Sequence, residues 1–196
     1  MKTTPIPRYI AAFLTLLLLL LALSLWNLNS GSLNLSPSEV FRLLWDRSGD
    51  NAAIVWKIRL PRILATILLG GALSVSGFLL QTFFANPIAG PFVLGISSGA
   101  KLAVSLTMIG LLSRGIIISS GAMILAAFAG AMLSMGFVLL VSRKVKQMAL
   151  LVVCGVMIGY ICSAITDFLV TFADDSNIVN LHNWSQGSFS GTSWAN

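Results

Sequence analysis

Five long apolar runs, separated by short polar breaks, make up most of the sequence. A helix that crosses a lipid bilayer needs roughly 20 apolar residues, and each of the five runs approaches or exceeds that length. The pattern predicts spanning helices over residues 9–26, 63–84, 92–112, 116–141 and 148–172. We therefore predict an all-α, polytopic transmembrane helix bundle that forms one domain over residues 1–196. Because five is an odd number, the two ends are expected on opposite sides of the membrane.

Two stretches are too polar to cross a membrane and are expected to be external, residues 27–62 and residues 173–194. In the first of them, Ser36 is followed three residues later by Glu39, which is the pattern of a helix capping box. Pro37 suits the first position of a helix. The pattern predicts a short helix that begins here, lies on the membrane surface and ends near Gly49.

The break between the second and third runs contains Asn86, Pro87, Gly90 and Pro91. Proline lacks a backbone donor and disfavours helix in the residue before it, and glycine adopts backbone angles that other residues resist. We therefore predict a tight turn at one membrane face, with the third helix beginning close to Pro91.

Small residues recur at four-residue spacing along the apolar runs, which is typical of helices that pack closely in lipid. Gly95 and Gly99 form one such stripe. The other two stripes consist of Ala122, Ala126, Gly130 and Ser134, and of Gly155, Gly159 and Ser163. They predict a tight bundle but indicate nothing about what passes through it.

The composition supports the membrane assignment. Hydrophobic residues make up 57% of the chain and charged residues 9%, whereas a soluble domain carries about 25% charged residues. The net charge of +6 would suggest nucleic acid as a partner of a soluble protein. Here the basic residues lie between apolar runs and form no stripe with interleaved aromatic residues, so we expect the lipid bilayer as the partner and no nucleic acid.

Two charged residues lie within predicted spans, Lys101 and Asp167. A charge inside the membrane costs at least a few kcal/mol, so each is a functional candidate. Lys101 either lines a transport pathway or extends to the interface or to a neighbouring helix. For Asp167, close to the end of its helix, a structural partner or a water contact is the favoured interpretation.

The sequence argues against an enzyme. Gly95 to Gly99 superficially matches the Gly-x-Ser pattern of intramembrane serine proteases, but such a nucleophile needs a nearby base, and the only histidine, His182, lies outside the predicted spans. No phosphate-binding loop of the Gly-x-x-x-x-Gly-Lys-Ser/Thr type occurs, so any ATP must be hydrolysed by a separate protein. Metal-ligand clusters are also absent from the sequence, and we predict no cofactor and no metal site.

An ordered set of motifs identifies a family resemblance. The sequence RLPR at residues 59–62 is followed by a helix with glycine and serine, then by Gln81, Asn86-Pro87-Ile88-Ala89, Pro91, Leu94-Gly95 and Ser97-Ser98-Gly99-Ala100. This order and spacing resembles the FecCD-type permease family, the membrane subunits of ABC importers for ferric siderophores, haem and cobalamin. The run Trp184–Trp194 is similar to the W-x-x-G-S-x-x-G-x-x-W pattern of the siderophore branch.

The resemblance implies partners, a location and a cargo. A complete subunit would pair with a second permease, two cytoplasmic ATPases and an external substrate-binding protein in the bacterial plasma (inner) membrane. Ferric siderophore is the expected cargo, with haem or cobalamin as the alternative, and a stand-alone channel or assembly protein as the alternative of another class. Family members have about ten helices, so we expect the second half to be missing here and this chain alone not to import anything.

The resemblance also implies roles for particular residues. Arg59 and Arg62 are expected to meet acidic side chains of the binding protein, unless they anchor the chain to lipid phosphates. Asn86, Pro87 and Ile88 are expected at the cytoplasmic gate, where Ile88 narrows the exit and Asn86 fixes the turn by a side-chain to backbone hydrogen bond, unless this is a plain turn. Apart from the resemblance, the count of basic residues in alternate loops is near balance, but Lys2 and Arg8 before the first span predict a cytoplasmic N-terminus by the positive-inside rule.

Overall fold

A computed structural model describes residues 6–31, 35–47, 49, 51–112, 115–116, 118–145 and 147–194. Seven helices account for most of these residues. They are α1 (Ile6–Asn29), α2 (Pro37–Asp46), α3 (Ala52–Phe83), α4 (Ile96–Leu112), α5 (Ser120–Ser142), α6 (Met148–Thr171) and α7 (Asp175–Gln186). No strand occurs in the part of the chain that is described, and the all-α prediction is confirmed.

Four of these helices, α1, α3, α5 and α6, are long and apolar enough to cross a membrane. The helix α4 has 17 residues and begins at Ile96, four residues later than the sequence predicts. The reason is that residues 91–95 form turns, and Gly95 adopts a left-handed backbone with φ of 72°. In the other direction, α3 extends back to Ala52 and so includes residues 52–62, which were expected in an external segment.

The chain divides into two compact units, and the division falls within α3 after Gly70. The first unit comprises residues 1–70 and 189–196. Its core joins the end of α1, the inner face of α2 and the beginning of α3, through the buried side chains of Leu28, Leu35, Val40, Leu43, Ala52, Val55 and Ile63.

The short helix α2 begins where the capping pattern predicts. The hydroxyl oxygen of Ser36 accepts a hydrogen bond from the backbone N–H of Glu39 at 3.2 Å, and Pro37 occupies the first turn. The helix ends at Asp46 because Arg47 turns left-handed, with φ of 48°. Val40 and Leu43 are buried, whereas Phe41 and Trp45 are exposed. The amphipathic ring of a tryptophan such as Trp45 suits the interface between lipid and water.

The second unit comprises residues 71–188. Here α4 packs against both α5 and α6, and α7 packs against α4. One core cluster lies where α5 and α6 meet the segment that connects α3 to α4, and it contains Phe84, Ala89, Leu94, Val138, Leu151 and Val152. The connecting segment is therefore fixed by burial of its own apolar residues.

Candidate functional site

The two arginines of the RLPR motif lie in the first unit and have different surroundings. The side chain of Arg59 is only 8% exposed, and its Nη1 donates a hydrogen bond to the carbonyl of Leu28 at the end of α1. Gly31 lies against the same guanidinium, since a Cβ atom there would be 2.7 Å from Nη2. Arg59 therefore joins the end of α1 to α3, a contact within the chain that the sequence did not indicate.

Arg62 is half-buried, and it contacts a segment that lies far away in the sequence. Its Nη2 donates a hydrogen bond to the carbonyl of Ser190 at 2.5 Å. Ser190 belongs to the loop of residues 189–194, which contains the second half of the Trp184–Trp194 run. The RLPR motif and the second half of the Trp184–Trp194 run thus meet at Arg62.

A π-helical turn near the beginning of α3 leaves the carbonyl of Trp56 without a donor from its own helix. Residues Val55–Arg59 form the turn, and the N–H of Leu60 donates to the carbonyl of Val55, five residues earlier. The carbonyl of Trp56 then has no donor from its own helix, because Leu60 is engaged by Val55 and residue 61 is a proline without an N–H. Trp194 supplies the missing donor, since its Nε1 lies 2.6 Å from that carbonyl.

Trp56 itself is held on its other side by α2. Its Nε1 donates to the carbonyl of Leu43 at 2.9 Å, and the guanidinium of Arg47 lies 4.0 Å above its ring. Sequence reasoning did not single out Trp56, and it noted Trp194 only as part of a pattern. The one available signal was Pro61, which leaves a helix carbonyl in need of a donor from elsewhere.

The turn between α3 and α4 lies in the second unit. The Oδ1 of Asn86 accepts a hydrogen bond from the N–H of Ile88 at 3.1 Å, which is the side-chain to backbone bond expected of Asn86. Ala85 is left-handed with φ of 46°, and Pro87 is exposed. Ile88 is 66% exposed, while the next residue, Ala89, is fully buried. The turn therefore presents Ile88 on a well-anchored loop.

Glycines allow the backbones of the second unit to touch. A Cβ atom on Gly95 would lie 2.7 Å from the carbonyl oxygen of Gly155 and 2.8 Å from the nitrogen of Gly159. A Cβ atom on Gly99 would lie 2.7 Å from the carbonyl oxygen of Gly130. Gly95 thus lies against α6, and Gly99 places α4 against α5.

Lys101 and Asp167, the two charged residues in apolar helices, have no salt-bridge partner among the residues that the structure describes. Lys101 is half-buried in the second turn of α4, and Asp167 is exposed near the end of α6. The backbone carbonyl of Asp167 accepts a hydrogen bond from Thr171. Within the described ranges, no group of three or more His, Cys, Asp or Glu side chains is placed to hold a metal ion.

Comparison with known proteins gives one consistent result. The model of the FecCD transport family matches residues 16–196. The chain is 36% identical over 192 residues to the hemin transport system permease protein HmuU of Yersinia pestis, covering 96% of this chain and 56% of that protein. It is 38% identical over 172 residues to the vitamin B12 import system permease protein BtuC of Serratia proteamaculans, covering 86% of this chain and 48% of that protein.

The fold has a counterpart among solved structures. An inward-facing structure described as a metal-chelate type ABC transporter superimposes with a TM-score of 0.73 at 24% identity, covering 95% of this chain and 56% of that one. At this identity the likeness concerns the fold alone. The chain spans about half the length of the relatives that it matches.

Proposed function

Because the chain belongs to the FecCD transport family, we propose that it forms part of the membrane-spanning permease subunit of an ABC importer for a metal chelate. The observation that carries this proposal is the family match over residues 16–196, together with four helices that are long and apolar enough to cross a membrane. The partners that follow are a second permease subunit, two cytoplasmic ATPases and an extracytoplasmic binding protein. The location that follows is the bacterial inner membrane, with the N-terminus in the cytoplasm.

The proposal also concerns which compound the importer carries. Ferric siderophore is favoured by the pattern of the run Trp184–Trp194. Haem and vitamin B12 fit as well, since those are the compounds named for HmuU and BtuC. All three are large chelates that carry their own metal, so the permease needs no metal site of its own.

Uptake measurements distinguish these cargoes. Cells lacking the gene are compared with cells carrying it on a plasmid, using radiolabelled ferric siderophores, haem and cobalamin in separate experiments. We expect accumulation of one class to fall in the deletion strain and to recover with the plasmid. Unchanged accumulation of all three would contradict an importer of this kind. A permease subunit should co-purify with an ATPase after solubilisation in detergent, whereas a stand-alone channel or assembly protein should not.

We further propose that Arg62 contributes to docking of the binding protein. Arg62 keeps guanidinium donors beyond the one bonded to Ser190, and guanidinium pairs bidentately with a carboxylate. Arg59 was expected in the same role, but its side chain is engaged with Leu28. Its contribution to docking is therefore proposed to be indirect, through the position of Arg62 three residues later on the same helix.

Substitutions at Arg62 test the docking role. Arg62→Glu should weaken binding by about 2–5 kcal/mol if the pair is buried in the complex. Arg62→Lys should also weaken binding, because a lysine cannot reproduce the bidentate pair, whereas anchoring to lipid phosphate would tolerate lysine. The matched control is Arg42→Glu, since Arg42 is exposed on α2 in the same unit. Equal affinity of Arg62→Glu and wild type would contradict docking through Arg62.

The turn Asn86-Pro87-Ile88 is proposed as part of the cytoplasmic gate. The exposure of Ile88 on a turn that is anchored by Phe84 and Ala89 supports this role. A cysteine introduced by Ile88→Cys should react with a membrane-impermeant thiol reagent from the cytoplasmic side at a rate that changes when ATP is added. A constant rate would favour a plain turn.

Lys101 is proposed to line the transport pathway, and Asp167 to make a water or structural contact. The support for Lys101 is its partial burial in a membrane helix without an ion-pair partner among the described residues.

A further inference from the structure

The carbonyl of Trp56 is the starting point for an inference about Trp194. An α-helical bond to this carbonyl would come from the N–H of Leu60, which donates to Val55 instead. A π-helical bond would come from residue 61, which is proline. The helix therefore offers this carbonyl no backbone donor, and a donor from outside the helix can satisfy it. The indole of Trp194 can only donate, and it lies at 2.6 Å.

The loop of residues 189–194 is attached to α3 at two points. Trp194 donates to Trp56, and Arg62 donates to Ser190, so the two hydrogen bonds lie on either side of Pro61 along the helix. Once one of these hydrogen bonds has formed, the loop has less conformational entropy left to lose, so the second bond forms at a lower entropic cost. The position of the loop and the orientation of the Arg62 guanidinium are therefore coupled.

The rings of the same loop are open to solvent or to a partner. Trp194 is 57% exposed and Phe189 is 41% exposed, although the Nε1 of Trp194 is hydrogen-bonded. An arginine beside exposed aromatic rings is the combination that dominates many protein interfaces. If the guanidinium of Arg62 is already held in one orientation, less side-chain entropy is lost when a carboxylate binds to it.

We propose that Trp194 is a positioning residue for docking: by capping the carbonyl that Pro61 leaves open, it holds the 189–194 loop and orients Arg62 toward an acidic surface of the binding protein. This inference rests on the docking role of Arg62 given above. Trp194 itself adds an apolar ring to the same surface.

A double-mutant cycle tests the hydrogen bond independently of docking. Trp194→Phe removes the indole N–H and keeps an aromatic ring, while Pro61→Ala gives the helix its own donor for the carbonyl of Trp56. A spin label attached through Thr192→Cys reports the mobility of the loop in the detergent-solubilised protein. We expect Trp194→Phe to increase this mobility, and to add nothing further when Pro61→Ala is already present.

The matched control for the change of ring is Trp45→Phe, because Trp45 is exposed on α2 in the same unit. It should leave the mobility of the label unchanged. If Trp194→Phe behaves like this control, or has the same effect with and without Pro61→Ala, the link to the carbonyl of Trp56 is refuted.

Binding measurements then test the positioning role, using the full permease in lipid nanodiscs and the purified binding protein of the same importer. Trp194→Phe should weaken binding by about threefold to tenfold, as expected for the loss of one hydrogen bond. Unchanged affinity for Trp194→Phe, while Arg62→Glu weakens binding, would overturn the positioning role and leave docking intact. Unchanged affinity for Arg62→Glu would refute docking itself, and the positioning role with it.

Discussion

The contact of Gly95 with α6 predicts a large loss of stability for Gly95→Ala. The backbone of Gly95 is left-handed, with φ of 72°, a conformation that costs other residues about 1–2 kcal/mol. The added methyl group would also lie 2.7 Å from the oxygen of Gly155 and 2.8 Å from the nitrogen of Gly159. Both are backbone atoms, so they cannot rotate away as a side chain would.

The two effects combine into a free-energy change that can be measured. Forcing an extra methyl group into a packed site costs about 1–3 kcal/mol. Together with the backbone cost, Gly95→Ala should lower the free energy of unfolding by roughly 2–5 kcal/mol. Titration of the detergent-solubilised protein with a denaturing detergent, followed by circular dichroism, measures this difference.

Two further glycines provide a graded series. Gly159→Ala should cost less than Gly95→Ala, because its Cβ would lie 3.3 Å from the Cα of Gly95 and its backbone is helical. Gly136→Ala on α5 is the control, since no described atom beyond the adjoining backbone of its own helix lies within 4 Å of its Cβ position, and alanine favours a helix over glycine by up to about 1 kcal/mol. If Gly95→Ala were as stable as Gly136→Ala, the close approach at Gly95 would be wrong.

Substitutions at three other positions have expected outcomes. Ser36→Ala removes the N-cap of α2 and should reduce stability by about 1 kcal/mol in the same titration; no change would mean that the cap is not used. Asn86→Ala should cost about 0.5–1.5 kcal/mol through loss of its bond to Ile88, whereas Asn86→Asp, which keeps the acceptor, should cost less. Lys101→Met should raise stability, because it removes a charge from a membrane helix, and should lower chelate uptake; unchanged uptake would exclude a role in the pathway.

Local patterns in the sequence were sufficient for the features that depend on neighbouring residues. The cap of α2 depends on Ser36 and on a backbone N–H three residues away, and the turn at Asn86 depends on Ile88 two residues away. Small-residue spacing indicated close helix packing, but spacing alone does not specify partners. The structure pairs Gly99 with Gly130, and Gly95 with Gly155 and Gly159.

Features that depend on distant residues could not be obtained from the sequence. An arginine at a membrane boundary is expected to be exposed, and the burial of Arg59 becomes evident only when the end of α1 is placed beside it. The bond from Trp194 to Trp56 joins residues 138 apart. The start of α4 was misplaced because residues 92–95 are as apolar as the helix that follows, so hydropathy does not report the left-handed backbone at Gly95.

The left-handed backbone at Ala85 also has a practical consequence for protein engineering. Its side chain is exposed, so the methyl group gains no buried contact that would offset the cost of this conformation. Glycine would remove the cost of the left-handed conformation. It would also lower the free energy of unfolding by about 0.4–1 kcal/mol, because glycine gives the unfolded chain more conformational freedom. Asparagine tolerates the left-handed region better than alanine and keeps a side chain. Ala85→Asn is therefore the single change with which to begin when a more heat-resistant form of the protein is wanted.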